Sequence, residues 1–252
     1  MTKNKSFKKG VVLFIILLLP SVLYLLLTTG KHNFGELPVI GPKTPTTIVD
    51  ESTGKETVDT LYHTIAPFSL TDQFGEEFKS SELDGSIYVA DFFFTICPTI
   101  CPIMTRNMKS LQDEFSHYED FKLVSFTVYP EGDSASVLKA YGEKYEADFN
   151  TWIFLTGEKD SIYSLAYHSY FGNAMQDSTA PGGFLHSSNL VLIDKEGRIR
   201  SGIDSNTKAV RAVYDGTSEA AMKALKEDIR TLLFEYKTEK KKNNKYKNSE
   251  DE

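Results

Sequence analysis

The sequence predicts an α/β sandwich, with a central mixed sheet flanked by helices. Three observations predict it. Short apolar segments rich in aromatic and β-branched residues, at 86–94, 121–128 and 152–155, alternate with segments of helical period. A hairpin pattern follows, in which Leu190-Val191-Leu192-Ile193 and Ile199-Arg200-Ser201-Gly202 flank the turn Asp194-Lys195-Glu196-Gly197. A final amphipathic helix opens at Ser218-Glu219 and carries Leu225, Ile229, Leu232 and Leu233. The chain shows no internal repeat.

From the N-terminus, residues 1–10 hold Lys3, Lys5, Lys8 and Lys9 and no acid. Residues 11–27, VVLFIILLLPSVLYLLL, are almost wholly apolar. As a helix they would span roughly 25 Å, a short crossing of a hydrocarbon core about 30 Å thick. The run reads as one N-terminal transmembrane helix with its lysine-rich end in the cytoplasm. A cleaved signal peptide is the alternative, but TTGKHNF lacks a small-x-small cleavage pattern. Either way the remainder faces an oxidising compartment. The expected organisation is a cytoplasmic stub and anchor at 1–30, a tether at 31–62, the folded domain at 63–236 and a disordered charged tail at 237–252. Pro38, Pro42 and Pro45 and the lack of any period mark the tether, and low apolar content marks the tail.

Without residues 1–10 and the tail, 18 basic and 31 acidic side chains remain, a net charge of −13. So acidic a domain argues against nucleic-acid binding. The domain opens with a small hairpin, Phe68-Ser69-Leu70-Thr71 and Glu77-Phe78 about the turn at Asp72–Gly75. The strand at 86–94 and a helix bearing Ile103, Met104, Met108, Leu111 and Phe115 come next. After the 121–128 strand, Asp133-Ser134 can cap a helix bearing Val137, Leu138, Tyr141 and Tyr145. After the 152–155 strand, Asp160 or Ser161 starts a helix with Ile162, Leu165 and Ala166 on one face.

The two cysteines of the chain, Cys97 and Cys101, stand where the first long strand gives way to a helix. If the helix begins at Cys97, residues at i and i+4 share a face and the sulfurs lie side by side. A helix N-terminus lowers a thiol pKa. Paired thiolates suit soft-metal binding, reversible disulfide chemistry, or both. A structural disulfide is the bland alternative, but a bridge across three residues restricts the unfolded chain little. Met104 and Met108, at helical spacing, read as core. His32, His63, His117 and His168 have no motif context and read as surface or packing residues.

The order of elements, with a cysteine pair at the first long helix, resembles the thioredoxin fold. More closely, FSLTDQFG, FFFTICPTICPIM, LTG and FLHSSNLVLIDKEGRIR resemble the Sco/SenC copper-chaperone family and its F-x-x-C-P-x-x-C-P signature. The resemblance covers roughly residues 65–235. It implies that Cys97, Cys101 and His186 bind copper, as Cu(I) through the thiolates and as Cu(II) with the imidazole added. It also implies a protein that is single-pass in the cell inner membrane, its domain on the periplasmic or extracytoplasmic side. The recipient would be the cytochrome c oxidase subunit carrying the dinuclear copper site, and a thiol reductant would keep the pair reduced. The chain departs from the family at Tyr129-Pro130, where an acid and proline are usual, and at Leu185, where Asp is frequent. A different class of function fits the same dithiol: an extracytoplasmic thiol–disulfide oxidoreductase that uses Cys97 and Cys101 to reduce a partner's cysteine pair.

Overall fold

The computed structural model describes residues 14–16, 18–22, 36–49, 56–172, 174–176, 184–204, 207 and 209–250. The chain forms two compact units, Met1–Gly35 and Glu36–Glu252. In the first, residues 14–16 and 18–22 are helical. Among the described residues no helix is long and apolar enough to cross a membrane. The rest of the expected 11–27 span lies outside the described residues.

The second unit is built on an eight-stranded mixed sheet. Its strands are β3 (Ser69–Asp72), β4 (Glu77–Lys79), β5 (Ile87–Phe93), β6 (Phe121–Thr127), β7 (Trp152–Thr156), β10 (Asn189–Ile193), β11 (Ile199–Arg200) and β12 (Tyr214–Asp215). They lie in the order β11-β10-β5-β6-β7-β3-β4, and β12 pairs with β10. The three central strands run parallel, β5 with β6 from Ile87↔Phe121 to Phe93↔Thr127 and β6 with β7 from Leu123↔Trp152. Parallel neighbours need crossovers. Helices α1 (Cys101–Phe115) and α2 (Ala135–Lys144) supply them, and α3 (Lys159–His168) follows β7.

All seven residues of β5 are buried, as expected of a strand covered on both faces. Alternation then assigns its side chains. Phe92 stacks on Phe126 and meets the edge of Tyr170, with ring centroids 5.0 and 5.5 Å apart. Phe93, on the other face, meets Tyr141 of α2 and Phe154 of β7. Phe154 is the hub of that face, stacking on Trp152 at 4.9 Å and touching Tyr141 and Phe149.

Three expectations are corrected. The cysteine helix starts at Cys101, not Cys97. Pro98 disfavours helical backbone at the preceding Cys97, whereas Pro102 falls in the first helical turn, where the missing N–H costs nothing. Within 31–62, β1 (Lys43–Val49) and β2 (Glu56–Tyr62) form an antiparallel hairpin. Leu37 is buried, and the Ile40 N–H bonds the Ile199 carbonyl at the sheet edge. Among the described residues the hairpin's strands pair with each other, and Val58 and Leu61 are exposed, so apolar alternation does not mark it in the sequence. At the other end, the last helix α4 (Glu219–Glu250) runs on through residues expected to be disordered. Lys and Glu are good helix formers, and the docked first turns have already met the cost of nucleation.

A buried ion cluster joins both ends of the unit. Arg200 donates to the Leu37 carbonyl at 3.0 Å, to Asp194 at 2.9 Å and to Glu235 of α4 at 2.8 Å. Phe154→Ala should cost about 3–5 kcal/mol, because it empties the aromatic hub without touching the cysteines. Urea unfolding checks this, and a loss under about 1 kcal/mol would show that the hub repacks.

Candidate metal and redox site

Both cysteines lie past the C-terminal end of β5. Cys97 is in the loop and is 6% exposed; Cys101 opens α1 and is 1% exposed. No disulfide joins them. The loop is held by its backbone: the Cys97 N–H donates to the Phe94 carbonyl at 3.2 Å. Thr105, one turn into α1, donates to the Cys101 carbonyl at 2.8 Å and lies 2.7 Å from the Tyr141 hydroxyl.

The two thiols are unequal. Burial alone would raise Cys97. Hydrogen bonds from the backbone N–H groups of Cys101 and Thr99, the Cys101 thiol and the Thr99 hydroxyl outweigh it and hold Cys97 below the ordinary thiol value. Burial pushes Cys101 far above that value. A hydrogen bond from the Phe94 N–H opposes this, while the neighbouring Cys97 and the charge of Asp91 add to it. At neutral pH the outer sulfur is therefore the more nucleophilic and the inner one keeps its proton.

Two buried carboxylates flank the pair, and sequence reasoning gave neither a role at the site. Of the Asp133-Ser134 pair that the sequence offers as the cap of α2, Ser134 takes the capping position, without a side-chain cap bond. Asp133, fully buried, turns toward the cysteine loop and accepts from the Thr95 N–H at 3.1 Å. Asp91 sits inside β5 and accepts from the Ser125 hydroxyl at 2.5 Å, which in turn accepts from the Trp152 ring N–H at 2.9 Å. The available signal was an acid in the middle of an otherwise apolar strand.

His186 ends the short strand β9 (Phe184–His186), which pairs with β8 (Ala174–Gln176), His186 opposite Ala174. The register Leu190↔Asp91 between antiparallel β10 and β5 carries the backbone at 186 toward the sheet end that holds Cys97. The His186 side chain lies outside the described residues. Among the described residues no group of three or more His, Cys, Asp or Glu could hold a metal ion. Three other histidines are packing residues. His63 Nε2 is 2.8 Å from the Ser169 carbonyl, its ring against Phe171, and His117 and His168 pack beside Tyr118 and Tyr167. His32 lies outside the described residues. Met104 and Met108 are core. At the departure from the family pattern, the Tyr129 ring lies so close to Gly132 that a side chain there would clash with it. Glu131 pairs with Lys159 at 3.0 Å.

Asp91 gives this site a pH signature. Burial, against hydrogen bonds from Ser125 and its own backbone N–H, pushes its carboxyl up to about 7 from an ordinary 3.8. The folded state then binds this proton more tightly than the unfolded chain, so between about pH 4 and 7 stability falls as pH rises. Asp91→Asn, which cannot ionise, should flatten that slope. Relative to the parent it should gain stability from pH 4 to pH 8, by roughly 4 kcal/mol at most. Urea midpoints at the two pH values check this, and parallel slopes in parent and variant would contradict it.

The comparisons with known proteins bear on the family and the fold. The SCO1/SenC family model matches residues 57–221. The SCO1 protein homolog of Bacillus subtilis is 33% identical over 148 residues, which are 58% of this chain and 76% of that protein. A SCO1/SenC family lipoprotein from Bacillus anthracis superposes with a TM-score of 0.58 at 29% identity, covering 68% of this chain and 95% of the other. BsSco, described as a member of the Sco family of cytochrome c oxidase assembly proteins with a disulfide switch, gives 0.56 at 27% identity, covering 68% and 93%. The mixed sheet with flanking helices is the thioredoxin-like fold of these proteins, and the chain belongs to the SCO1/SenC family.

Proposed function

We propose that this protein is a membrane-tethered copper chaperone, delivering copper for the dinuclear centre of cytochrome c oxidase. The observation that carries this reading is the placing of two buried cysteines, not joined by a disulfide, at one strand-to-helix junction, near enough for each to shift the other's titration. Soft thiolates select Cu(I), and two of them suffice for a two-coordinate site. Copper is the cargo. Cys97 and Cys101 hold it, and the His186 imidazole adds the donor that a Cu(II) site needs. Loading copper displaces the Cys101 proton, so affinity rises with pH. A partner disulfide can oxidise the copper-bound thiolates: Cys97 and Cys101 form a disulfide, their two electrons reduce the partner to a dithiol, and the metal is released. A thiol reductant restores the site.

The apolar run 11–27 is the single-pass anchor in this reading. It holds the protein in the cell inner membrane, with the domain on the extracytoplasmic side. The lipoprotein relative from Bacillus anthracis supports membrane attachment in the family by a different means. Residues 63–236 form the working domain, and the disulfide switch attributed to BsSco supports a pair that cycles between dithiol and disulfide.

One observation favours a second reading. A lowered outer thiol and a raised inner one suit a nucleophile and a resolving cysteine, as a thiol–disulfide oxidoreductase needs. The two readings separate at His186. An imidazole is not needed to make or break the Cys97–Cys101 bond, but it is needed to complete a Cu(II) site.

Anaerobic copper titration of the reduced protein, with a parallel thiol count, tests the proposal. Cys97→Ser and Cys101→Ser should each lose at least a hundredfold in Cu(I) affinity and remain folded. His186→Ala should lose Cu(II) affinity and the thiolate-to-copper absorption band while keeping Cu(I) binding and a near-parental disulfide potential. If His186→Ala supports full oxidase assembly in cells, the oxidoreductase reading is the better one.

A further inference from the structure

We propose that Asp133 is the positioning residue of the cysteine pair: its carboxylate fastens the strand end that carries Cys97 to the end of β6 and so sets the balance between dithiol and disulfide. The inference rests on the reading that Cys97 and Cys101 are the working site.

The last residue pair of β5 and β6 is Phe93↔Thr127, and the Val128 N–H closes the ladder on the Phe93 carbonyl at 2.8 Å. Beyond this the chains part, one toward the cysteines and the other toward α2. The Asp133 carboxylate spans the gap. Oδ2 accepts from the Thr95 N–H at 3.1 Å and from the Thr127 hydroxyl at 2.5 Å, and Oδ1 accepts from the Thr95 hydroxyl at 2.5 Å. Asp133 has no exposed surface. A buried carboxylate is costly unless its lone pairs are filled, and here three neutral donors fill them. The carboxylate is itself fixed from behind. The Asp133 N–H bonds the Tyr129 carbonyl at 2.9 Å, and the Tyr129 N–H bonds the Thr127 hydroxyl at 3.0 Å.

The bond matters for chemistry because of what adjoins Thr95. Its neighbour Phe94 supplies the carbonyl that holds the Cys97 N–H and the N–H that reaches the Cys101 sulfur. Cys97 in turn receives N–H groups from Thr99 and Cys101. These donors favour the reduced sulfurs: the bonds to Cys97, the thiol held below its ordinary value, become charge-assisted when it ionises, and the Phe94 N–H holds the Cys101 thiol in place. A disulfide sulfur accepts poorly. Loosening the 94–95 segment therefore weakens the reduced state more than the oxidised one, and the equilibrium moves toward the disulfide.

The test equilibrates the full-length protein in detergent with glutathione buffers and reads the Cys97–Cys101 disulfide fraction, alongside a urea midpoint. Thr95→Val removes one arm of the clamp without burying a new charge. It should shift the equilibrium at least tenfold toward the disulfide, and Thr95→Ser, which restores the hydroxyl, should stay within twofold of the parent. Asp133→Ala should shift it further the same way; should it fail to fold, the Thr95 pair carries the test alone. A Thr95→Val equilibrium within twofold of the parent, whatever its urea midpoint, overturns the clamp, as does a Thr95→Ser shift equal to that of Thr95→Val. A parent that forms no disulfide in any buffer overturns the working-site reading and the clamp with it. An unchanged variant set in a parent that does form one overturns the clamp alone.

Discussion

The site depends on the separation of β5 and β6 beyond Phe93 and Thr127. Parallel strands that part over a helix N-terminus leave backbone N–H groups without a ladder partner. In this chain those groups are put to use. The Phe94 N–H goes to the Cys101 sulfur, the Thr95 N–H to Asp133, and the Thr99 and Cys101 N–H groups to the Cys97 sulfur. The prolines make this possible. Pro98 keeps Cys97 out of the helix, so the loop wraps back over its own backbone donors. A helix begun at Cys97 would have tied up the Cys101 N–H in a bond to the Cys97 carbonyl.

The same arrangement makes the two sulfurs chemically distinct. Cys97 gains several hydrogen bonds and keeps some exposure, whereas Cys101 is sealed under the helix with Asp91 contributing to its charge environment. A site that binds copper and later gives it up benefits from such asymmetry. The outer thiol gives up its proton the more readily, and the inner one yields its own only to metal or to disulfide formation. Surrounding this is a rigid aromatic layer of Phe93, Tyr141, Trp152 and Phe154, with Tyr141 touching Thr105 on the cysteine helix. Fixing the sulfurs on such a frame lowers the reorganisation that metal transfer requires.

Much of the fold is legible in the sequence because its central strands are short, apolar and separated by helical periods. The 68–78 hairpin, the three parallel strands and the hairpin about Asp194–Gly197 all stand where pattern places them. The hairpin at 43–62 is not legible, since its apolar residues Val58 and Leu61 are exposed and give no alternation to read. The length of α4 is not legible either, because a Lys- and Glu-rich tail has the same composition whether helical or disordered. At the site, the cysteines were found from spacing and position. Asp133 was not, because a helix-capping acid and a buried clamp look alike in one dimension. Its role depends on Thr95 and Thr127, which come from two other segments.

The central claim is that copper is held by both sulfurs and the histidine. X-ray absorption at the copper edge, on the Cu(II)-loaded protein, tests it most directly. The account predicts two sulfur scatterers and imidazole scattering in the parent, and in His186→Ala, loaded with Cu(I), two sulfurs without imidazole. A first shell of nitrogen and oxygen alone, or a spectrum unchanged in His186→Ala, would contradict it.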